Sequence, residues 1–150
     1  MNGRELDTFA KILKISEWRG IFFANQIPPN LKPKNIYIIN CCSSREKSQG
    51  HHWIAVHIKS KYIVEIFYSS GLHPNQIKHL KLPPNRKIHY SSKRLQNYRS
   101  DTCGLYCLFF AKLRSSGVLN WNFIPHYFGE NLKKNDTFIR HWAKKNQKIL

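Results

Sequence analysis

The sequence predicts an α+β domain in which a small, mostly antiparallel sheet packs against a central buried helix. Three observations carry that reading. Short β-branched runs lie at 35–42, 53–58 and 62–67, each about the length of one strand. Residues 103–114 are apolar on nearly all sides through Leu105, Leu108, Phe109, Phe110 and Leu113, as befits a helix surrounded by core. Amphipathic helical patterns open and close the chain.

Taken in order, Leu6, Phe9, Ala10 and Leu13 fall on one helical stripe and predict a first helix packed on the body of the domain. Pro28, Pro29 and Pro33 then force a loop. The run Ile36-Tyr37-Ile38-Ile39 reads as a buried strand, and 43–50 as a polar, turn-rich connection. Trp53 to Ile58 and Tyr62 to Phe67 follow as an antiparallel hairpin turning at Lys59 to Lys61. Pro74, Pro83 and Pro84 bracket a short helix over Gln76 to Leu80, and a brief strand sits near Ile88 to Tyr90. After the helix at Cys103, a last one over Asp136 to Lys148 turns Phe138, Ile139 and Trp142 inward and lysines outward.

The 150 residues carry no Gly/Ser linker, so one domain over 1–150 is expected. An apolar fraction of 41% excludes a disordered basic tail, although 25 Lys and Arg against 8 acids leave a net charge of +17. Such an excess attracts polyanions and releases counterions on contact, which makes nucleic acid the first partner to consider. Basic residues are scattered as pairs, such as Lys93/Arg94 and Lys144/Lys145, rather than gathered in one arm. Adjacent Cys41 and Cys42, with Cys103 and Cys107 one helical turn apart, do not form a disulfide framework and fit a reducing intracellular setting. Neither a signal peptide nor a membrane span is expected.

Cys103 stands where a polar loop becomes an apolar helix. The first turn of a helix leaves N–H groups unpaired and carries partial positive charge, so a thiol there is pushed toward thiolate while the same groups can hold an oxyanion. His52 opens the strand 52–56 and is the candidate base, with Trp53 on the opposite face to lock it. Gln96, in the loop before Cys103, can donate to a tetrahedral intermediate together with the Cys103 N–H. A metal site built from Cys103, Cys107, His51 and His52 is the weaker alternative, since no second ligand pair has matching spacing.

His52-Trp53, Gln96 and Ser100-Asp101-Thr102-Cys103-Gly104-Leu105-Tyr106-Cys107 together resemble the adenovirus protease (adenain) family of cysteine endopeptidases, including those of Polinton/Maverick-type elements and related DNA viruses. The resemblance implies a papain-like architecture of the adenain type, with His52 as general base, Cys103 as nucleophile and Gln96 as oxyanion-hole donor. It departs at one position: where the family has an acid before x-x-Gly, this chain reads Phe67-Tyr68-Ser69-Ser70-Gly71. Tyr68 is then expected to accept a hydrogen bond from the histidine and fix its tautomer without supplying charge. Glu65, three residues away on a strand, points to the other face.

The same resemblance implies cleavage of viral structural precursor polypeptides during virion maturation, by a monomer acting in the virion and in the host nucleus or viral factory. It implies no metal or small-molecule cofactor and no membrane partner, with DNA, bound without sequence specificity, and an activating peptide as stimulators. The region 83–92 has no cysteine for a disulfide-linked peptide. Two rivals remain: a protease of the same clan acting on ubiquitin-like modifiers, and a catalytically weakened DNA-binding virion protein.

Overall fold

A computed structural model describes residues 1–41 and 52–147. The connection expected at 43–50, together with Cys42 and His51, lies outside the described residues.

The first helix, α1 (Gly3–Ile12), begins with a reciprocal cap: the Glu5 N–H donates to Asn2 Oδ1 at 3.0 Å, and the Asn2 N–H donates to Glu5 Oε2 at 2.8 Å. Its buried stripe is Leu6, Phe9 and Ala10, as the spacing predicts. Five strands follow, β1 (Trp18–Phe23), β2 (Ile36–Asn40), β3 (Trp53–Ile58), β4 (Ile63–Phe67) and β5 (Lys87–Tyr90), and they lie in the sheet in that order. Then come α2 (Cys103–Ser115), the short α3 (Phe123–Tyr127) and α4 (Leu132–Gln147).

The sheet is mixed rather than mostly antiparallel. The pairings β2–β3 and β3–β4 are antiparallel, whereas β1–β2 and β4–β5 are parallel. A parallel neighbour needs a long return path, and the proline-bearing segments 24–35 and 68–86 supply one at each edge. The first of these strands, β1, is absent from the sequence reading. Each of its residues is only half-buried, and a register shift between Trp18 and Gly20 breaks any alternation. The helix expected at Gln76 to Leu80 is instead a single 3₁₀ turn at Pro74–Gln76, which Pro74 presets and which ends where Ile77 turns extended. The last helix starts earlier than expected, at Leu132.

Both faces of the sheet are covered, which explains why β3 is buried at every residue. Ile36, Ile38, Trp53, Ala55 and Phe67 face α1, α2 and α4, while Tyr37, Ile39, Ile54, Val56, Val64, Ile66 and Tyr68 face the loops that cross the other side. Helix α2 lies against β3. Its Phe110 stacks on Phe67 with ring centroids 4.8 Å apart, so the central helix is held by the strand that leads to Tyr68.

Candidate active site

The catalytic candidates collect where β3 and α2 both begin. His52 precedes β3 but remains on the ladder, its carbonyl accepting from the Cys41 N–H at 2.9 Å. Its side chain is exposed while Trp53 turns inward and is buried. The Trp53 indole donates to the Met1 carbonyl at 3.2 Å and packs beside Gly104, where a Cβ would sit 2.8 Å from Leu6 Cδ2 and 3.2 Å from Trp53 Cδ1. Gly104 therefore lets the first turn of α2 approach α1 and the start of β3.

That close approach brings the Cys103 thiol to the backbone N–H groups of Trp53, Gly104 and Cys103 itself, within the field of the N-terminal ammonium. Burial pushes the thiol above its ordinary value, and these donors only partly offset it. The expectation of a thiol pushed toward thiolate is thus reversed: the side chain is almost fully enclosed, and desolvation outweighs the helix terminus. Forming the thiolate therefore requires a base.

Gln96 is buried, and its amide orientation follows from its neighbours. The Ser100 carbonyl can only accept, so the side-chain nitrogen faces it and donates at 2.7 Å. The opposite oxygen accepts from Ser69 Oγ at 2.6 Å. The second Nε2 proton has no hydrogen-bond partner among the described residues. Backbone bonds from Leu95 N and Gln96 N to the Ser69 carbonyl, at 2.8 and 3.2 Å, lock this loop to the end of β4.

Tyr68 is 7% exposed and meets His52 ring to ring, with centroids 6.5 Å apart and planes at 72°. Among the described residues no hydrogen bond joins the two. The Tyr68 hydroxyl is held above its ordinary value, first by burial and then by the nearby Cys41 and Cys103 thiols. The phenol is therefore neutral and acts on His52 as a packed ring. Glu65 is fully buried elsewhere, in an ion pair with Arg114 (Oε1 to Nε, 2.7 Å).

Several supporting residues escaped the sequence reading. The Asp136 carboxylate at the start of α4 accepts from Tyr106 Oη at 2.9 Å, Thr102 Oγ1 at 3.2 Å and Asn97 N at 3.4 Å. Thr102, bonded in this way, does not cap α2, so side-chain capping does not claim the N–H groups of the first turn. Asn135 donates to the Leu95 carbonyl at 3.1 Å. The loop 95–102 is thus fastened by α4, which no local pattern announces. Ser69 lies inside the Phe-Tyr-Ser-Ser-Gly stretch already singled out, and its neighbourhood was the available signal.

Cys107 is fully buried, and burial pushes its thiol well up. Among the described residues no three His, Cys, Asp or Glu side chains cluster so as to hold a metal ion. Beside Trp53 opens a largely apolar groove of about 360 Å³ lined by Gly3, Ile21, Phe22, Phe23, Gln26, Asn40 and Trp53.

No curated protein matches this chain. Residues 30–150 match the Ulp1 protease family, C-terminal catalytic domain. The match spans His52, Tyr68, Gln96 and Cys103 and leaves only α1, β1 and the turn after them outside. On that match, and with the α+β fold of such a protease around it, the chain belongs to the Ulp1 protease family of cysteine peptidases.

Proposed function

We propose that the protein is a cysteine endopeptidase that cleaves viral structural precursor polypeptides during virion maturation, with DNA as a stimulator. The observation that carries the peptidase chemistry is the convergence on one helix terminus of a buried thiol, backbone donors and an amide whose free proton is fixed in direction. His52 removes the thiol proton, and the thiolate attacks the scissile carbonyl. The Gln96 Nε2–H and the Cys103 N–H stabilise the oxyanion, and His52 returns its proton to the leaving amine. Water, deprotonated by the same histidine, then releases the acyl group from sulfur.

The choice of DNA and viral precursors rests on the resemblance to adenain and on charge. Lys133, Lys134, Arg140, Lys144 and Lys145 are all exposed on α4, and the net charge is +17, suited to phosphate contacts without base readout. Cys103→Ala should abolish processing of a co-expressed precursor, and short duplex DNA should accelerate the wild-type enzyme with an effect that fades as salt rises. Processing by the alanine variant would sink the assignment. An unchanged rate with DNA would remove the stimulator.

The family match also favours a second reading, hydrolysis at the C-terminus of a ubiquitin-like modifier. Covalent capture of Cys103 by such a modifier bearing a C-terminal electrophile would select it over precursor cleavage.

A further inference from the structure

At the far ends of β3 and α2 lies a second cavity, of about 270 Å³, lined by Ser16, Lys34, His57, Lys59, Arg114 and Ser115 together with Gly117 and Leu119. It is remote from the catalytic end. From Trp53 to His57 along β3 is about 13 Å, and from Cys103 to Arg114 along α2 about 16 Å, at the usual rises per residue. We propose that this cavity binds a phosphate group.

The floor is an ion-paired triad. His57 and Glu65 are cross-strand partners on the face that meets α2, and both are buried together with Arg114. His57 Nδ1 lies 2.8 Å from Glu65 Oε1, which also accepts from Arg114 Nε at 2.7 Å, while Glu65 Oε2 accepts from the terminal guanidinium nitrogen at 3.0 Å. Arg114 donates further to the Val118 and Asn120 carbonyls at 2.8 and 3.0 Å and stacks over Phe110, so the triad is rigid. Burial alone would raise the Glu65 carboxyl, but the His57 hydrogen bond and the Arg114 guanidinium outweigh it and hold it below the usual carboxylate range. An ionised carboxylate only accepts, so Nδ1 carries the proton. Nε2 of this 2%-exposed histidine is left without a partner among the described residues, on a ring that lines the cavity.

The rim is cationic and uncommitted. Lys34 occupies a left-handed turn (φ 75°), and its N–H donates to the Ile58 carbonyl at 2.6 Å, which sets it beside Lys59. Neither ammonium forms an ion pair among the described residues. The charges around His57 are thus Glu65 from β4, Arg114 from α2, Lys34 before β2 and Lys59 after β3. Arg114 neutralises Glu65, which leaves two free positive charges above a bare imidazole nitrogen. Hydrogen phosphate, or a phosphate monoester that keeps one proton, fits that demand: its anionic oxygens meet the lysines, and its O–H donates to Nε2. Sulfate offers the charge without the proton.

The test uses the whole chain and inorganic phosphate, read by the His57 imidazole resonances and by calorimetry at matched ionic strength. Phosphate should shift those resonances at pH 8, where sulfate binds more weakly. Lys34→Ala/Lys59→Ala, a surface change that spares the core, should weaken phosphate by about tenfold or more. Unmoved His57 resonances, or unchanged affinity in the double variant, would overturn the proposal. A short DNA duplex is the control: its backbone diesters carry no O–H, so it should leave the His57 resonances unmoved, and a duplex that shifts them in competition with phosphate would overturn the hydrogen bond to Nε2. None of these readouts depends on peptidase activity.

Discussion

Replacing Tyr68 with Asp places a carboxylate where the phenol now stands, and the structure sets the size of the effect. With His52 and Tyr68 ring centroids 6.5 Å apart, an imidazolium and a carboxylate at that separation attract by about 1.3 kcal/mol. That figure takes an effective dielectric of roughly 40, suited to a pair with one exposed member. It corresponds to about a tenfold gain in kcat/KM if the imidazolium–thiolate form is what reacts. The alkaline limb of the pH–rate profile should move up by about one unit. Against this, the ring that is lost is 7% exposed and packed among the apolar side chains on the loop face of the sheet. The variant should lose about 3 kcal/mol of stability, or roughly 6 to 12 °C in Tm.

Kinetics on a fluorogenic peptide from pH 5.5 to 9, alongside thermal melts, measure both quantities in one preparation. Tyr68→Phe is the control: it keeps the ring contact and removes a hydroxyl that does not bond to His52, so kcat/KM should stay within about threefold. If Tyr68→Phe instead loses about a hundredfold while Tyr68→Asp gains nothing at any pH, the hydroxyl itself orients the base and the ring-packing argument is refuted.

Gln96→Ala should lower kcat by about 10²- to 10³-fold, the scale of a lost oxyanion donor. Ser69→Ala should lower it about tenfold with KM unchanged, because substrate contacts remain while the amide loses its 2.6 Å anchor; an equal loss in KM would argue against an orienting role. Gly71→Ala should cost at least about 2 kcal/mol in a melt and impair turnover, since its φ is 75° and a Cβ would lie 2.5 Å from the Ser92 carbonyl, on the chain leading to Gln96. Alkylation of Cys103 by iodoacetamide should be slow at neutral pH and climb through and beyond the ordinary thiol range near about 8.5. The sign follows from burial, which favours the protonated thiol; a rate already flat from pH 5 to 8 would mean a standing ion pair.

Local patterns were enough to locate what local forces dictate. The β-branched run of β3 and the apolar face of α2 were legible because β3 is buried at every residue and α2 over most of its surface. The loop that carries Gln96 into the helix opening at Cys103 was legible because both lie on one short segment. Other features were hidden for physical reasons. The strand β1 is half-buried throughout and lacks alternation. The parallel edge pairings depend on how long loops return, which residue spacing does not encode. The thiol's upward shift and the Asp136 anchor arise from side chains that meet only after α1 and α4 dock. The face taken by Glu65 followed from strand alternation, but its commitment to Arg114 did not.

The fastening of loop 95–102 by Asn135 and Asp136 has a bearing on how the enzyme comes into being. Each strand of the sheet neighbours its predecessor in sequence, so the scaffold holding His52 can assemble progressively as the chain emerges from the ribosome. The loop that carries Gln96 and ends at Cys103 is tied at its start to the end of β4, but it gains its Asn135 and Asp136 anchors only when α4 has been synthesised and docked. A nascent chain stalled before residue 132 would hold its histidine, glutamine and cysteine and still lack the geometry to use them. The order of synthesis thus delays peptidase competence until the final helix arrives.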